Sequence, residues 1–176
     1  MMTFRPRLQH IFLLLTLLLT GCQEKARPVT NFQMGEKVDI GPFTYVVVES
    51  SWVNQLGEGF QVRYPQNRFL MLTVSVTNRS ASEAGVPLLS LEASSGQQFQ
   101  ELSEGDGVTQ WMGILRTVAP AQSLQGRILF DVPLSTFRLR LPDGGESGYE
   151  KYAWVNIPLT LDSDQVQAPL PGTLTK

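Results

Sequence analysis

The sequence predicts an all-β protein, an antiparallel β-sandwich that follows an N-terminal signal segment. Three observations carry this reading. Apolar residues recur with period two through the body of the chain, the spacing of strands with one buried face. Turn residues divide the body into short pieces at sandwich-like or barrel-like spacing. After the signal segment, no stretch combines a helical period with caps.

Taken in order, the first expected strand is Phe43–Val53, entered through the Gly41-Pro42 turn. Phe69–Asn78 alternates most cleanly, with Leu70, Leu72, Val74 and Val76 on one face and Met71, Thr73, Ser75 and Thr77 on the other. Asn78-Arg79-Ser80 matches an N-glycosylation acceptor pattern but reads more simply as a turn, with Asn78 capping a strand end and tolerating a left-handed backbone. Leu88–Ala93 and Gln97–Leu102 flank Ser94-Ser95-Gly96, and Thr109–Val118 ends at Ala119-Pro120. In Leu124–Val132, one face carries Leu124, Gly126, Ile128, Phe130 and Val132. The opposite face is polar except for Leu129. Phe137, Leu139 and Leu141 alternate with Arg138 and Arg140, and Tyr152–Ile157 is the last strand. A folded body from about Lys37 to Ile157 follows, with Leu72, Val74, Ile128 and Phe130 buried together. Two sheets packed face to face, immunoglobulin-like in architecture, suit this pattern. The Cys–Trp–Cys core of antibody domains is absent, and an eight-stranded barrel is the alternative.

The N-terminus has its own signature. Arg5 and Arg7 precede an apolar run from Ile11 to Leu19, broken only by Thr16, and then Leu19-Thr20-Gly21-Cys22. A charged start, a short apolar run and a small-residue cleavage site define a secretory signal. The run is about half of the ~20 residues needed to span a bilayer. Leu19-Thr20-Gly21-Cys22 resembles a bacterial lipoprotein signal, which implies cleavage before Cys22, the sole cysteine, and a diacylglyceryl thioether and further acylation on it. Several acyl chains make a stable anchor where one does not. The resemblance places the chain at the cell envelope, attached to membrane through Cys22. In a host with two membranes, the same resemblance implies, from Gln23 after the cysteine, delivery to the outer one over inner-membrane retention. The organisation expected is a signal segment 1–21, a lipid-anchored linker 22–33, a domain 34–160 and a flexible tail 161–176.

Removing residues 1–21 takes away Arg5, Arg7 and His10, leaving twelve basic and sixteen acidic residues and a net charge of −4. A nucleic-acid partner would call for a basic face instead. At this length one domain buries enough apolar surface to fold without disulfides or metals.

Three segments carry a resemblance over the body. Met34-Gly35-Glu36-Lys37-Val38-Asp39-Ile40-Gly41 is followed by Phe43-Thr44-Tyr45-Val46-Val47. Next comes Arg68-Phe69-Leu70-Met71-Leu72-Thr73-Val74-Ser75-Val76-Thr77-Asn78. Ala119-Pro120 then precedes Gly126-Arg127-Ile128-Leu129-Phe130-Asp131-Val132-Pro133. This order resembles a family of uncharacterised immunoglobulin-like domains on bacterial lipoproteins and secreted proteins, related in fold to a mycobacterial secreted immunoprotective antigen. The resemblance spans Met34 to Leu159 and implies a fold; it transfers no catalytic residue.

The chemistry is read mainly by exclusion. Without histidine or a free thiol, the mature chain lacks Ser-His-Asp and Cys-His catalysis and the usual zinc or copper ligands. No catalytic residue, metal or cofactor is expected. Glu101-Leu102-Ser103-Glu104-Gly105-Asp106-Gly107 clusters three carboxylates among glycines. Calcium takes oxygen ligands from such loops, though the spacing is not that of an EF-hand. The plainer alternative is a solvated turn. The connection Asn54–Asn67 holds Leu56, Phe60, Val62 and Tyr64 among Gly57, Gly59 and Pro65. Loops of this length in compact domains are often functional. Phe60 and Tyr64 are the candidate partner contacts, unless the connection is a hairpin that folds back and buries them. Trp111 and Met112 read as core residues. The expected function is a lipid-anchored, non-enzymatic binding or accessory module with a protein or envelope partner. A carboxylate-based envelope hydrolase or a calcium-binding protein is the alternative.

Overall fold

Leu70, Leu72, Val74 and Val76 are fully buried, and the residues between them are half-buried. That alternation makes Arg68–Asn78 a central strand with one face in the core. The computed structural model describes residues 31–145 and 148–160. The signal segment 1–21, Cys22, linker residues 23–30 and the tail 161–176 lie outside the described residues. The strands are β1 (Asn31–Gln33), β2 (Val38–Ile40), β3 (Phe43–Val53), β4 (Arg68–Asn78), β5 (Ala84–Gly85), β6 (Ser90–Ala93), β7 (Gln98–Gln100), β8 (Thr117–Val118), β9 (Ser123–Val132), β10 (Phe137–Pro142) and β11 (Tyr152–Ile157).

Two sheets pack face to face, in the orders β1-β11-β10-β6-β7 and β2-β3-β4-β9, with β5 and β8 forming a small third ladder. The arrangement is an antiparallel β-sandwich. Its core joins Leu72, Val74, Ile128 and Phe130 of the four-stranded sheet to Leu91, Leu139, Leu141 and Val155 of the other. The buried Tyr45 hydroxyl donates to the Pro142 carbonyl at 3.1 Å, tying one end of the two sheets together. Burial pushes that hydroxyl's pKa well above the ordinary tyrosine range. Among the described residues, no helix is long and apolar enough to cross a membrane.

Two local expectations need correction, and a third is sharpened. The linker does not extend through Gln33: Asn31–Gln33 forms β1 and pairs parallel with β11, Asn31 against Trp154 and Gln33 against Asn156. An edge strand otherwise leaves a row of unpaired backbone groups. Phe32 adds the reason in side chains, because it packs on the core. Thr109–Val118 is not one strand; only Thr117–Val118 pairs, with β5. Gln110 and Gly113 have φ of 58° and 75°, which breaks an extended run. Asn78 caps its strand end without a left-handed backbone. It closes β4 fully buried, with Nδ2 donating to the Ser82 and Val118 carbonyls and Oδ1 accepting from Ser80. Its amide is occupied inside the fold, so the local acceptor pattern is a turn.

Registers define two ends of the sandwich. β1 and β11 begin, and β10 stops, at the end that carries the Gly41-Pro42 turn. β3 runs from that end to the other, where Asn54–Asn67 leads back into β4. Phe130 is fully buried between the sheets, so Phe130→Ala should cost ~3–5 kcal/mol in urea unfolding. Thr73→Ala, on the half-buried outer face, should stay within ~0.5 kcal/mol.

Candidate functional site

The outer face of the four-stranded sheet is mostly polar and carries one buried apolar patch. Phe69 of β4 and Leu129 of β9 are buried there beneath Leu56, with Val53, Met71, Leu102 and Val108 around them. Leu129, the exception on its strand's polar face, was the sign of this second core. Covering it requires the chain to fold back over the sheet, and Asn54–Asn67 does so as a hairpin. Leu56 and Arg63 exchange backbone hydrogen bonds at 2.9 and 2.8 Å. Gly59–Gln61 makes a single 3-10 turn at the tip. Gly57 has φ of +76°, and a Cβ there would lie 2.3 Å from the Gln61 carbonyl oxygen, so the tip needs glycine.

Two further contacts brace the hairpin. At its base, the Asp131 carboxylate accepts from the Gln66 and Asn67 backbone N–H groups at 2.6 and 2.8 Å. On its flank, the Arg63 guanidinium lies 5.3 Å from the Phe69 ring centre and donates to the Glu104 carbonyl at 3.0 Å. A Cβ on Gly107 would stand 2.7 Å from the Gly57 nitrogen, so the hairpin and the 104–107 loop touch backbone to backbone. Sequence reasoning missed Asp131 and Arg63. Their signal is weak, because each is one charge on a strand or loop with many polar neighbours.

The hairpin folds back, yet it buries Leu56 and not the candidate contacts. Phe60 is fully exposed at the tip and Tyr64 is 70% exposed on the returning arm. The 3-10 turn carries Phe60 beyond the patch that Leu56 already covers. Beside them lies a cleft of about 550 Å³ lined by Gly57, Gln61, Val62, Arg63, Asp106 and Gly107.

The three carboxylates of the Glu101–Asp106 segment are not brought together. Glu101 turns inward and pairs with Arg116 at 2.6 Å, both side chains almost wholly buried. Its carboxylate also accepts from the Leu89 N–H at 3.2 Å. Glu104 and Asp106 are exposed. Among the described residues, no group of three or more histidine, cysteine, aspartate or glutamate side chains is placed to hold a metal. The hydrolase and calcium alternatives therefore lose their central residue to an ion pair. Arg116 was legible only as the single charge between Thr109 and Val118. Met112 joins the main core. Trp111 is half-buried, its ring packed so closely on Gly105 that a Cβ there would lie 2.0 Å from it.

Burial pushes the Glu101 carboxyl above its ordinary 4.5, while Arg116 and the Leu89 N–H oppose that rise. A buried acid with a raised pKa stabilises the fold fully below its unfolded value, and that contribution is lost as pH climbs through the raised value. Arg116→Met leaves the carboxylate unpaired and should cost ~3–5 kcal/mol near pH 7. The deficit should shrink as pH falls from 7 toward 4.5, because burial favours the protonated form of the unpaired Glu101. Urea unfolding at both pH values reads this; an equal loss at both would show that the pair's charge is immaterial.

A family model described as a domain of unknown function, DUF4352, matches residues 32–147. No curated protein matches the sequence. The solved structures it resembles include the yjhA protein of Bacillus subtilis, 13% identical, with a TM-score of 0.55 and coverage of 72% of this chain and 99% of that one. The secreted protein MPT63 of Mycobacterium tuberculosis is 14% identical, with a TM-score of 0.55 and coverage of 75% and 100%. The ycdA protein of Bacillus subtilis, a candidate lipoprotein, is 12% identical, with a TM-score of 0.52 and coverage of 68% and 38%. At these identities the likeness is one of fold, and neither the family description nor these neighbours' descriptions name an enzymatic activity. The match over most of the β-sandwich places this chain in the DUF4352 family.

Proposed function

We propose that the chain is a lipid-anchored, non-enzymatic binding or accessory module of the cell envelope, and that it contacts a protein or envelope partner through the Asn54–Asn67 hairpin. The observation that carries the contact is Phe60, fully exposed on a hairpin fixed at its base, flank and underside. A large apolar side chain held in water on a rigid support is suited to an interface, where aromatic residues concentrate. Tyr64 adds contact area at low entropic cost. The inventory supports a non-catalytic role: a general base near neutral pH would have to be a shifted carboxylate or lysine. Among the described residues, the one carboxyl whose pKa is clearly raised, Glu101, is closed off by Arg116. The envelope location is supported by the lipoprotein-like signal before Cys22. A secreted protein and a candidate lipoprotein among the structural neighbours agree with it.

Two experiments test this. Cys22→Ala should move the protein from the membrane to the soluble fraction, or leave it as uncleaved precursor. Unchanged mass and membrane retention in that variant would remove the anchor. Replacing Phe60 and Tyr64 together with Ser should weaken crosslinked capture of the partner in native envelopes while thermal stability stays nearly the same, within ~0.5 kcal/mol as for surface changes. A large loss of stability would mark both as core residues and end the contact reading.

A further inference from the structure

Toward the end of the sandwich opposite the hairpin, on the flank beside β9, lies a second set of exposed apolar groups. Leu115 is 96% exposed, with Ile114 and Leu88 partly exposed beside it in the fold. Their proximity is imposed by Arg116, whose guanidinium donates both to the Gly113 carbonyl at 3.0 Å and to the Pro87 carbonyl at 2.8 Å. The residues that follow those two carbonyls are Ile114 and Leu88. Arg116 points inward to Glu101, so its neighbour Leu115 is turned outward. The β10–β11 connection closes on the same end. Gly144 packs against Phe43 and Pro87, and Tyr149 is largely exposed nearby along the connection.

The polypeptide leading to Cys22 enters at this same end, because β1 starts there with Asn31 against Trp154. From β1 to β6 the sheet crosses three inter-strand gaps, about 14 Å. The nine residues 22–30 reach at most about 30 Å when extended. A tether that short holds this end within reach of the bilayer, and the apolar cluster lies inside that reach. The hairpin with Phe60 sits at the far end, about 30 Å away along the ten residues of β9.

We propose that this end is a membrane-contact face, with Leu88, Ile114 and Leu115 seated in the lipid interface and Phe60 and Tyr64 held away from it. The proposal rests on the anchor reading of Cys22 and adds an orientation to it. Tyr149 and the partly exposed Tyr152 at the start of β11 are amphipathic and suit the headgroup level, and aliphatic groups suit the boundary beneath it. A membrane contact of this kind needs no basic patch when a covalent lipid already supplies the attachment.

The test uses the full-length lipoprotein reconstituted in phosphatidylethanolamine–phosphatidylglycerol vesicles. Leu115→Cys and Thr136→Cys place a thiol at each end of the sandwich for an environment-sensitive maleimide fluorophore. The parent chain should take up no label, because its sole thiol carries lipid. Labelling of the parent, with failure to float with vesicles, would overturn the anchor reading and this proposal with it. With the anchor intact, the label at position 115 should shift to the blue and lose about half its emission to shallow doxyl lipids, consistent with a depth near the headgroup boundary. The label at position 136 should change little. Equal, water-like emission at both positions would leave the anchor standing and overturn the contact face. Self-quenching at position 115 that grows with protein density, without lipid quenching, would assign the patch to a second copy and also overturn it.

Discussion

The buried pair of Glu101 and Arg116 holds the segment on which much of the outer architecture depends. It joins the two ends of the long connection between β7 and β8, and it binds that connection to Leu89 and Pro87. Between the clasped ends, the chain runs along the free side of β9. Leu102 donates to Leu129, Arg127 to Gln110, and Met112 to Arg127. An open sheet edge is thereby occupied, which a sandwich otherwise protects by charge, bulges or short strands. Placing two charges in the interior is expensive, and a pair repays it only with good geometry and further hydrogen bonds. Arg116 has those bonds through two carbonyls and both Glu101 oxygens.

The same connection sets the hairpin. Leu102 and Val108 pack against the Phe69–Leu129 patch, and Glu104 offers its carbonyl to Arg63. The hairpin leans on a loop that is itself held by the ion pair. Phe60 is therefore presented on a supported element, with its backbone constrained before any partner arrives. Such preorganisation reduces the ordering cost of an interface. The three carboxylates that look like one cluster in the sequence have separate duties: Glu101 fixes the connection from inside, while Glu104 and Asp106 face water beside the cleft.

Sandwich topology also separates the two exposed surfaces. Strands that run the full length of the domain place Asn54–Asn67 at one end and the start of β1 at the other. In the proposed arrangement, a chain anchored through Cys22 and entering at the β1 end would keep the hairpin at a distance from the lipid. β1 matters beyond its three residues for this reason. It fastens the incoming chain to β11, so that the point of entry is a fixed place on the domain.

The strand pattern was legible because a half-buried strand shows its period in the sequence itself. Leu70, Leu72, Val74 and Val76, and Ile128, Phe130 and Val132, declare their inward face without reference to a partner. The lipoprotein-like signal is equally local, being a contiguous order of charge, apolar run and small residues. The exposure of Phe60 and Tyr64, the pairing of Asn31–Gln33 and the burial of Glu101 were decided only in the tertiary structure. Each depends on what lies opposite. A short polar segment becomes a strand when β11 offers an edge. A glutamate turns inward when an arginine fifteen residues away can reach it. An aromatic remains in water when Leu56 has already covered the patch below. Period and punctuation are properties of a segment, whereas these outcomes are properties of pairs far apart in the chain.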